Sequence, residues 1–184
     1  MLKRRQPTIG FRKGKRAEVI SEELQPEPTV PMLRDLRTYL HDNKVKYVVV
    51  THSPAYTAQE LAEIQHVPGR QLAKVVMVTV ADRPAMVVLP ATHVVDLERL
   101  TAVTGQPVEL MNADDFEPLF PGCERGAEPP FGQLWGLDIW VDTSLADSAE
   151  IVFNAGSFRE AIHMAYQDYI RLAEPRIATF AKHQ

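Results

Sequence analysis

Two valine-rich runs in the middle of the chain constrain its fold more than any other feature. Residues 74–80 (KVVMVTV) and 85–89 (AMVVL) consist almost entirely of apolar and β-branched side chains, which favour strands over helices. Only a short turn at Asp82, Arg83 and Pro84 separates them. Because a connection this short joins antiparallel neighbours, the sequence predicts a β-hairpin at the centre of the fold.

Further helices and strands precede and follow this hairpin. Thr57, with Glu60 three residues later, is a capping box that predicts the start of a helix, which Pro68 and Gly69 end. The other predicted helices cover residues 31–42, 95–104 and 158–172, and the other predicted strands cover residues 46–51, 108–111, 139–141 and 150–153. Residues 121–136 are rich in proline and glycine and are predicted to be loop. Strands joined by both turns and helices indicate an α+β fold with a mixed sheet rather than a doubly wound parallel one.

Charge divides the chain into a basic N-terminal segment and an acidic remainder. Residues 1–30 carry a net charge of +3 without a sustained apolar period, whereas the other residues carry −7. We therefore expect a basic, disordered extension over residues 1–30 and a folded domain over residues 31–184. The extension is either an arm that adds affinity for phosphate or a leader before a true start at Met32. The acidic domain argues against tracking along a nucleic acid backbone, but not against gripping a single nucleotide end.

Several classes of protein are excluded by what the sequence lacks. No run approaches the roughly 20 apolar residues of a membrane helix, so no membrane partner is expected. The single cysteine, Cys123, cannot form an internal disulfide, which favours a reducing cytoplasm. Histidine and cysteine show no metal-ligand spacing, and no nucleotide-binding glycine motif or serine nucleophile motif is present. We expect neither a metal nor a cofactor, and no obvious protein nucleophile remains.

Lys74 is the most unusual residue of the central hairpin. It opens an apolar strand at a position where a buried strand favours valine or isoleucine, and lysine is rarely buried without a partner. One interpretation is an ammonium group at a strand end that points into a cleft, towards a phosphate or a carbonyl oxygen. The alternative is an edge lysine whose charged end reaches solvent.

Two glycine-containing segments are further candidates for a site. In residues 126–132 (GAEPPFG), two prolines fix the backbone while the flanking glycines permit close approach by a ligand. Such a loop either presents backbone N–H groups to a substrate or is a rigid surface turn. Residues 154–157 (NAGS) follow an apolar strand, where Asn154 either lines the same cleft or, like Ser157, caps the helix predicted next.

These segments, in this order, resemble the YbaK-type aminoacyl-tRNA deacylases, a domain also inserted in bacterial prolyl-tRNA synthetases. The resemblance covers roughly residues 32–180. It is carried by four segments: TAQELA (57–62), QLAKVVMV (71–78), GAEPPFG (126–132) and FNAG (153–156). Lys74 followed by a Gly-x-x-x-Pro loop is the more specific part, and the other matches are weak individually.

The resemblance implies a fold and a set of site residues. The fold is α+β, with a mixed, largely antiparallel curved β-sheet surrounded by helices. Lys74 and Gly126 take the catalytic positions, where the Lys74 ammonium holds the substrate and the Gly126 N–H polarises its carbonyl group. The substrate-binding positions are Pro130, Gly132, Asn154 and Gly156. Family members act without a metal, with water or a substrate group attacking the ester, and Asn154 replaces a residue that is often serine, which affects amino-acid selectivity.

The implied function is that of a trans-editing hydrolase, which deacylates mischarged aminoacyl-tRNA carrying a small amino acid. Its expected partner is the tRNA acceptor end, and an aminoacyl-tRNA synthetase is a second candidate. One alternative is a non-catalytic module of the same fold that binds an aminoacyl-tRNA end or a synthetase. A weaker alternative is a hydrolase of small free esters with no RNA partner.

Overall fold

The computed structural model describes residues 34–184, so the predicted basic extension lies outside the described residues. The helices are α1 (Arg34–Asp42), α2 (Ala58–Ile64), α3 (Leu97–Thr104), α4 (Ala113–Phe116) and α5 (Tyr166–Ala173). The strands are β1 (Tyr47–Thr51), β2 (Ala73–Val80), β3 (Arg83–Pro90), β4 (His93–Val95), β5 (Val108–Leu110), β6 (Asp138–Asp142), β7 (Glu150–Asn154), β8 (Glu160–Ala165), β9 (Arg176–Ala178) and β10 (Ala181–His183).

The predicted hairpin forms the centre of a five-stranded sheet with the order β5-β2-β3-β6-β9. β2 and β3 pair antiparallel with Lys74 opposite Leu89, which confirms the hairpin. Its turn places Ala81 and Asp82 at φ values of 49° and 63°, in the left-handed region that matches the twist of paired strands. β3 with β6 and β6 with β9 are parallel pairs, so the sheet is mixed.

A second sheet has the order β1-β8-β7, and β4 pairs with β10. All of these pairings are antiparallel, so antiparallel contacts outnumber parallel ones among the described strands. The predicted α+β class with mixed, largely antiparallel sheets is confirmed. Within residues 34–184, none of the helices has both the length and the apolar character needed to cross a membrane.

The prediction of one long final helix over residues 158–172 is wrong. Residues 160–165 are strand β8, which lies between β1 and β7, and only α5 is helical. Glutamate, alanine and methionine favour a helix locally, but pairing on both edges and burial of Ile162 and Met164 favour the strand. Asn154 is therefore the last residue of β7, Ser157 lies in the connection between β7 and β8, and neither caps a helix.

Local sequence features predicted the start of α2 and the end of α3 correctly. The Thr57 hydroxyl accepts a hydrogen bond from the Glu60 N–H at 3.1 Å, and the Glu60 carboxylate accepts one from the Thr57 N–H at 3.1 Å. This reciprocal pair is the predicted capping box. α3 ends at Gly105, whose φ of 67° is the left-handed conformation that glycine adopts without strain.

The two larger sheets are joined where their strands approach each other. An isolated parallel bridge links Leu72, just before β2, to Val152 of β7, and the Val152 N–H donates to the Gln71 carbonyl at 2.9 Å. Nearby, Phe131 packs against Phe153 and Tyr169 with ring centroids 5.7 and 5.5 Å apart. These buried aromatic contacts anchor the predicted 121–136 loop on the core.

Candidate active site

A cavity of about 170 Å³ lies where β2, β7 and the 126–128 part of the loop meet. Lys74, Gly126 and Asn154 line it, so the structure brings together three of the predicted site residues. Its other lining residues are Tyr56, Thr57, Ala58, Leu72, Ala73, Val75 and Glu128.

Lys74 and Asn154 meet because of the bridge between the sheets. Leu72 and Val152 are partners in a parallel arrangement, so the chains leave the bridge in the same direction. Lys74 and Asn154 each lie two residues further on and therefore reach the same side of the junction. The strand pairing, and not a local motif, determines this juxtaposition.

The Lys74 side chain is half-buried where it lines the cavity. Burial lowers the pKa of the Lys74 ammonium below its ordinary value of 10.5. Its Nζ donates a hydrogen bond to the Ala91 carbonyl at 3.4 Å, and no carboxylate within residues 34–184 forms a salt bridge with it. An ammonium group has three N–H donors, so Lys74 retains donors for a ligand in the cavity.

Backbone hydrogen bonds dock the loop against the β7–β8 connection. The Gly156 N–H donates to the Ala127 carbonyl at 3.0 Å, and the Glu124 N–H donates to the Gly156 carbonyl at 2.8 Å. Gly126 has a φ of 93°, and a Cβ built there lies 3.4 Å from the Phe158 ring. This conformation and this contact favour glycine at position 126.

The Gly126 N–H is already engaged by another group. It donates to both carboxylate oxygens of Glu128, at 2.9 and 3.1 Å. In this arrangement the N–H is engaged within the loop, and its role at a substrate carbonyl stays a prediction. Lys74 is a donor at the cavity with unused N–H groups.

Glu128 is a residue of the site that sequence reasoning missed. It is 7% exposed and lines the cavity. Burial raises the pKa of the Glu128 carboxyl, although hydrogen bonds from the Gly126 N–H and from its own backbone act in the opposite direction. The available signal was a single acidic residue next to the two prolines of the 126–132 loop.

Asn154 contributes an acceptor that has no partner. Its Oδ1 atom is buried and forms no hydrogen bond with any of the described residues. An unpaired buried carbonyl costs about 1–3 kcal/mol, so a ligand that donates to it removes that cost.

Three predicted site residues, all in the described part of the chain, do not line the cavity: Pro130, Gly132 and Gly156. Pro130 is buried beside Phe131. A Cβ at Gly132 would lie 3.1 Å from Ile139 and 3.2 Å from Leu137, so this glycine permits close packing. Together with the Gly156 hydrogen bonds described above, these positions support the loop, and their contact with a substrate stays a prediction.

The start of α2 forms the mouth of the cavity. Tyr56 is 69% exposed there and packs on Phe158 with ring centroids 5.2 Å apart. The Thr57 hydroxyl is engaged in its cap, and no serine, cysteine or histidine is among the lining residues. Within residues 34–184, no group of three or more histidine, cysteine, aspartate or glutamate side chains is arranged to hold a metal ion.

A larger cleft of about 410 Å³ lies on the other face of α2, between Gln59 and His183. It is open and mostly apolar, and none of the predicted site residues lines it. We assign the site to the smaller cavity because a cation, a buried carboxylate and an unpaired amide oxygen converge there.

Comparison with known proteins finds a relative by sequence and solved structures with a similar fold. The chain is 29% identical over 140 residues to the multifunctional Ser/Thr-tRNA deacylase ProXp-y of Escherichia coli (strain K12), over 73% of this chain and 83% of that protein. Its fold matches the crystal structure of hypothetical protein APE2540, with a TM-score of 0.74, 17% identity, and coverage of 80% of this chain and 99% of that chain. It also matches a candidate trans-editing enzyme for prolyl tRNA synthetase, with a TM-score of 0.71, 19% identity, and coverage of 83% and 98%.

The family comparison covers more than half of the chain. The model of the aminoacyl-tRNA editing domain matches residues 52–172, a span that includes β2, the 126–132 loop and β7. The chain therefore belongs to the aminoacyl-tRNA editing domain family.

Proposed function

We propose that this protein is a trans-editing hydrolase that deacylates mischarged aminoacyl-tRNA carrying a small amino acid. Membership of the editing domain family and similarity to a Ser/Thr-tRNA deacylase support the ester hydrolysis. The tRNA acceptor end is the substrate, because that end carries the ester. The cytoplasm is the compartment we propose, since tRNAs are charged there.

The observation that carries this proposal is the placement of Lys74 in a cavity that also presents Glu128 and Asn154. The cavity of about 170 Å³ is smaller than the roughly 300–1,000 Å³ of sites for drug-sized ligands. It suits a small aminoacyl group, whereas a larger correct amino acid is rejected by size. A synthetase discriminates between two amino acids that differ by one methylene by only about 1–3 kcal/mol, so it sometimes attaches the smaller one. An editing site corrects this by admitting the smaller amino acid and excluding the larger one.

Hydrolysis transfers the aminoacyl group from the terminal ribose to water. The water oxygen bonds to the ester carbonyl carbon, the carbon–oxygen bond to the ribose breaks, and the ribose oxygen receives a proton. An aminoacyl ester is already activated, so the protein has to orient it and stabilise the charge that develops on the carbonyl oxygen. The Lys74 ammonium supplies that stabilisation from a half-buried position, where its charge interacts more strongly than in bulk water.

A synthetase is the second partner we propose. The described domain lies in the acidic part of the chain, where a protein contact is more plausible electrostatically than a long nucleic acid contact. In that arrangement the synthetase brings the tRNA and the editing protein together.

Deacylation of a panel of mischarged tRNAs tests the proposal. We expect release of a small amino acid from at least one of them. Lys74→Ala should reduce kcat/KM by about 10²–10³-fold, the usual effect of removing one donor to an oxyanion. Lys182→Ala is the matched control, because Lys182 is an exposed lysine 3.6 Å from Asp96 and outside the cavity, and should leave kcat/KM unchanged. A panel that stays intact with wild-type protein contradicts the proposal, and retention of mischarged tRNA without turnover supports the non-catalytic module instead.

A further inference from the structure

The cavity contains two acceptors with unused capacity. Asn154 Oδ1 is buried and has no hydrogen-bond partner among the described residues. The Glu128 carboxylate accepts from the Gly126 N–H and from its own backbone, whereas an ionised carboxylate has about four acceptor sites. No lysine, arginine or histidine within residues 34–184 forms a salt bridge with Glu128. We call these two groups, Glu128 and Asn154, the acceptor wall.

A group that matches the acceptor wall must donate several hydrogen bonds and carry positive charge. A buried carboxylate without a cation is electrostatically costly, and a cationic ligand removes that cost. A neutral hydroxyl satisfies at most one acceptor and leaves the carboxylate charge uncompensated. In an aminoacyl ester, the α-ammonium is the only cation common to every amino acid, and it has three N–H donors.

The position of Lys74 determines how the ester lies in the cavity. The ammonium of Lys74 repels the α-ammonium and attracts the partial negative charge of the ester carbonyl oxygen. The α-carbon carries both the amino group and the carbonyl group. An ester with its carbonyl oxygen at Lys74 therefore directs its amino group away from that lysine, and the acceptor wall offers that group unused acceptors in the same cavity.

We propose that Glu128 and Asn154 bind the α-ammonium of the aminoacyl ester and restrict this protein to esters with a free amino group. The inference deepens the proposed function and rests on it. Esters whose amino group is acylated, such as those of a peptidyl or formylated tRNA, then escape hydrolysis. The site thereby recognises the chemical state of the amino group as well as the size of the side chain.

Isosteric replacement of the amino group tests this proposal. Nitrous acid converts the aminoacyl-tRNA that the wild-type protein hydrolyses fastest into its α-hydroxyacyl counterpart, with almost no change in size. We expect wild-type protein to prefer the aminoacyl ester, and Glu128→Gln to reduce that preference about 10–100-fold, the range for a hydrogen bond to a charged group. Asn154→Ala should reduce it by a smaller factor. Because the preference is compared between variants, the different intrinsic reactivity of the two esters cancels.

Two controls separate recognition from general damage. Glu128→Gln retains a carbonyl oxygen for the Gly126 N–H, and circular dichroism melting should confirm that it is folded. Glu63→Gln removes a carboxylate from the other face of α2, outside the cavity, and should leave the preference unchanged. If Glu128→Gln slows hydrolysis of both esters equally, or leaves the preference as in wild type, the proposal is wrong.

A binding measurement distinguishes failure of this inference from failure of the proposed function. Calorimetry compares two stable amide analogues, 3′-alanylamino-adenosine and its lactoyl counterpart, on wild-type protein and on Glu128→Gln. Tighter binding of the alanyl analogue to wild type, lost in the variant, supports ammonium recognition even if no tRNA is deacylated. Equal binding of the two analogues to wild type overturns the inference even if deacylation occurs.

Discussion

Two buried carboxylates in this protein differ in how their oxygens are used. Asp142, 1% exposed at the end of β6, accepts from the Ser144 N–H and hydroxyl with one oxygen and from the Phe180 and Ala181 N–H groups with the other. Glu128, 7% exposed in the loop, accepts hydrogen bonds from just the Gly126 N–H and its own backbone among residues 34–184. The pKa of Asp142 is lowered from its ordinary value, whereas the pKa of Glu128 is raised.

The balance between burial and hydrogen bonding explains that difference. Burial acts to raise the pKa of Asp142, but its hydrogen bonds outweigh burial and the pKa is lowered. For Glu128, burial outweighs the hydrogen bonds and the pKa is raised. A carboxylate whose acceptors are all used by the fold is structural, whereas one with unused acceptors beside a cavity is available to a ligand.

The largest effect that tests this contrast between Asp142 and Glu128 is expected on stability, when the Asp142 carboxylate is replaced. Asp142→Asn should lower the free energy of unfolding by about 3 kcal/mol at pH 7, because a neutral amide replaces a charged acceptor and its NH₂ group then faces one of the two pairs of donors. Urea unfolding measures the change. The depressed pKa means that this stabilisation is present above the ordinary value of 3.8 and is lost as the pH falls through the lower folded-state pKa. The difference in unfolding free energy between wild type and Asp142→Asn should therefore narrow in acid. A difference that stays constant down to pH 2 contradicts the structural role of the ionised Asp142 carboxylate.

A smaller effect should come from the glycine that holds the Glu128 carboxylate. Gly126→Ala places a Cβ at a φ of 93° and 3.4 Å from the Phe158 ring, so we expect a loss of about 1–3 kcal/mol in unfolding free energy. The displaced loop should also lower kcat/KM for the mischarged substrate by about tenfold or more. Thermal melting and deacylation kinetics give the two values.

Gly105→Ala is the matched control for this substitution. Gly105 also has a positive φ, 67°, but a Cβ there meets nothing within 4 Å. It should cost about 1 kcal/mol of stability and leave kcat/KM unchanged. Equal effects of the two substitutions on activity count against a functional role for the Gly126 loop.

The smallest expected effect uses Cys123 as a reporter of the charge on Glu128. Burial and, to a lesser degree, the charge of Glu128 raise the pKa of the Cys123 thiol to about 12. Its alkylation by iodoacetamide at pH 8 should therefore be much slower than in the urea-unfolded chain, because the thiolate is the reactive form. Glu128→Gln removes the negative charge at position 128, which is the smaller of the two causes, and should accelerate alkylation of Cys123 a few-fold. The same acceleration in Glu63→Gln would show that the thiol does not sense Glu128 specifically.

Elements defined by neighbours in the chain were predictable from the sequence. The β2–β3 hairpin, the α2 capping box and the Gly105 end of α3 each depend on residues within a few positions, and all are confirmed. β8 was missed although one partner, β7, lies close by in the chain, because its other edge pairs with β1, which lies far away. Local propensity in that segment favours a helix, and tertiary pairing overrides it.

The residues of the site likewise divide into those that the sequence identified and those that only the folded chain reveals. The sequence pattern made Lys74, Gly126 and Asn154 candidates, the family resemblance gave them roles, and the structure brings them to one cavity. Glu128 was missed because its function as an acceptor depends on how the loop folds back on the Gly126 N–H. Pro130, Gly132 and Gly156 do not line this cavity, and a motif does not distinguish the residues that face a cavity from those that support a loop.

The isolated bridge between Leu72 and Val152 has a consequence for how selectivity evolves. Lys74 belongs to one sheet and Asn154 to another, so the gap between them depends on how the sheets are offset against each other. A core substitution that slides one sheet by a fraction of an ångström changes which acyl group fits, with every lining residue intact. Changes in amino-acid preference among relatives of this protein should therefore be sought in the interior as well as at the cavity surface.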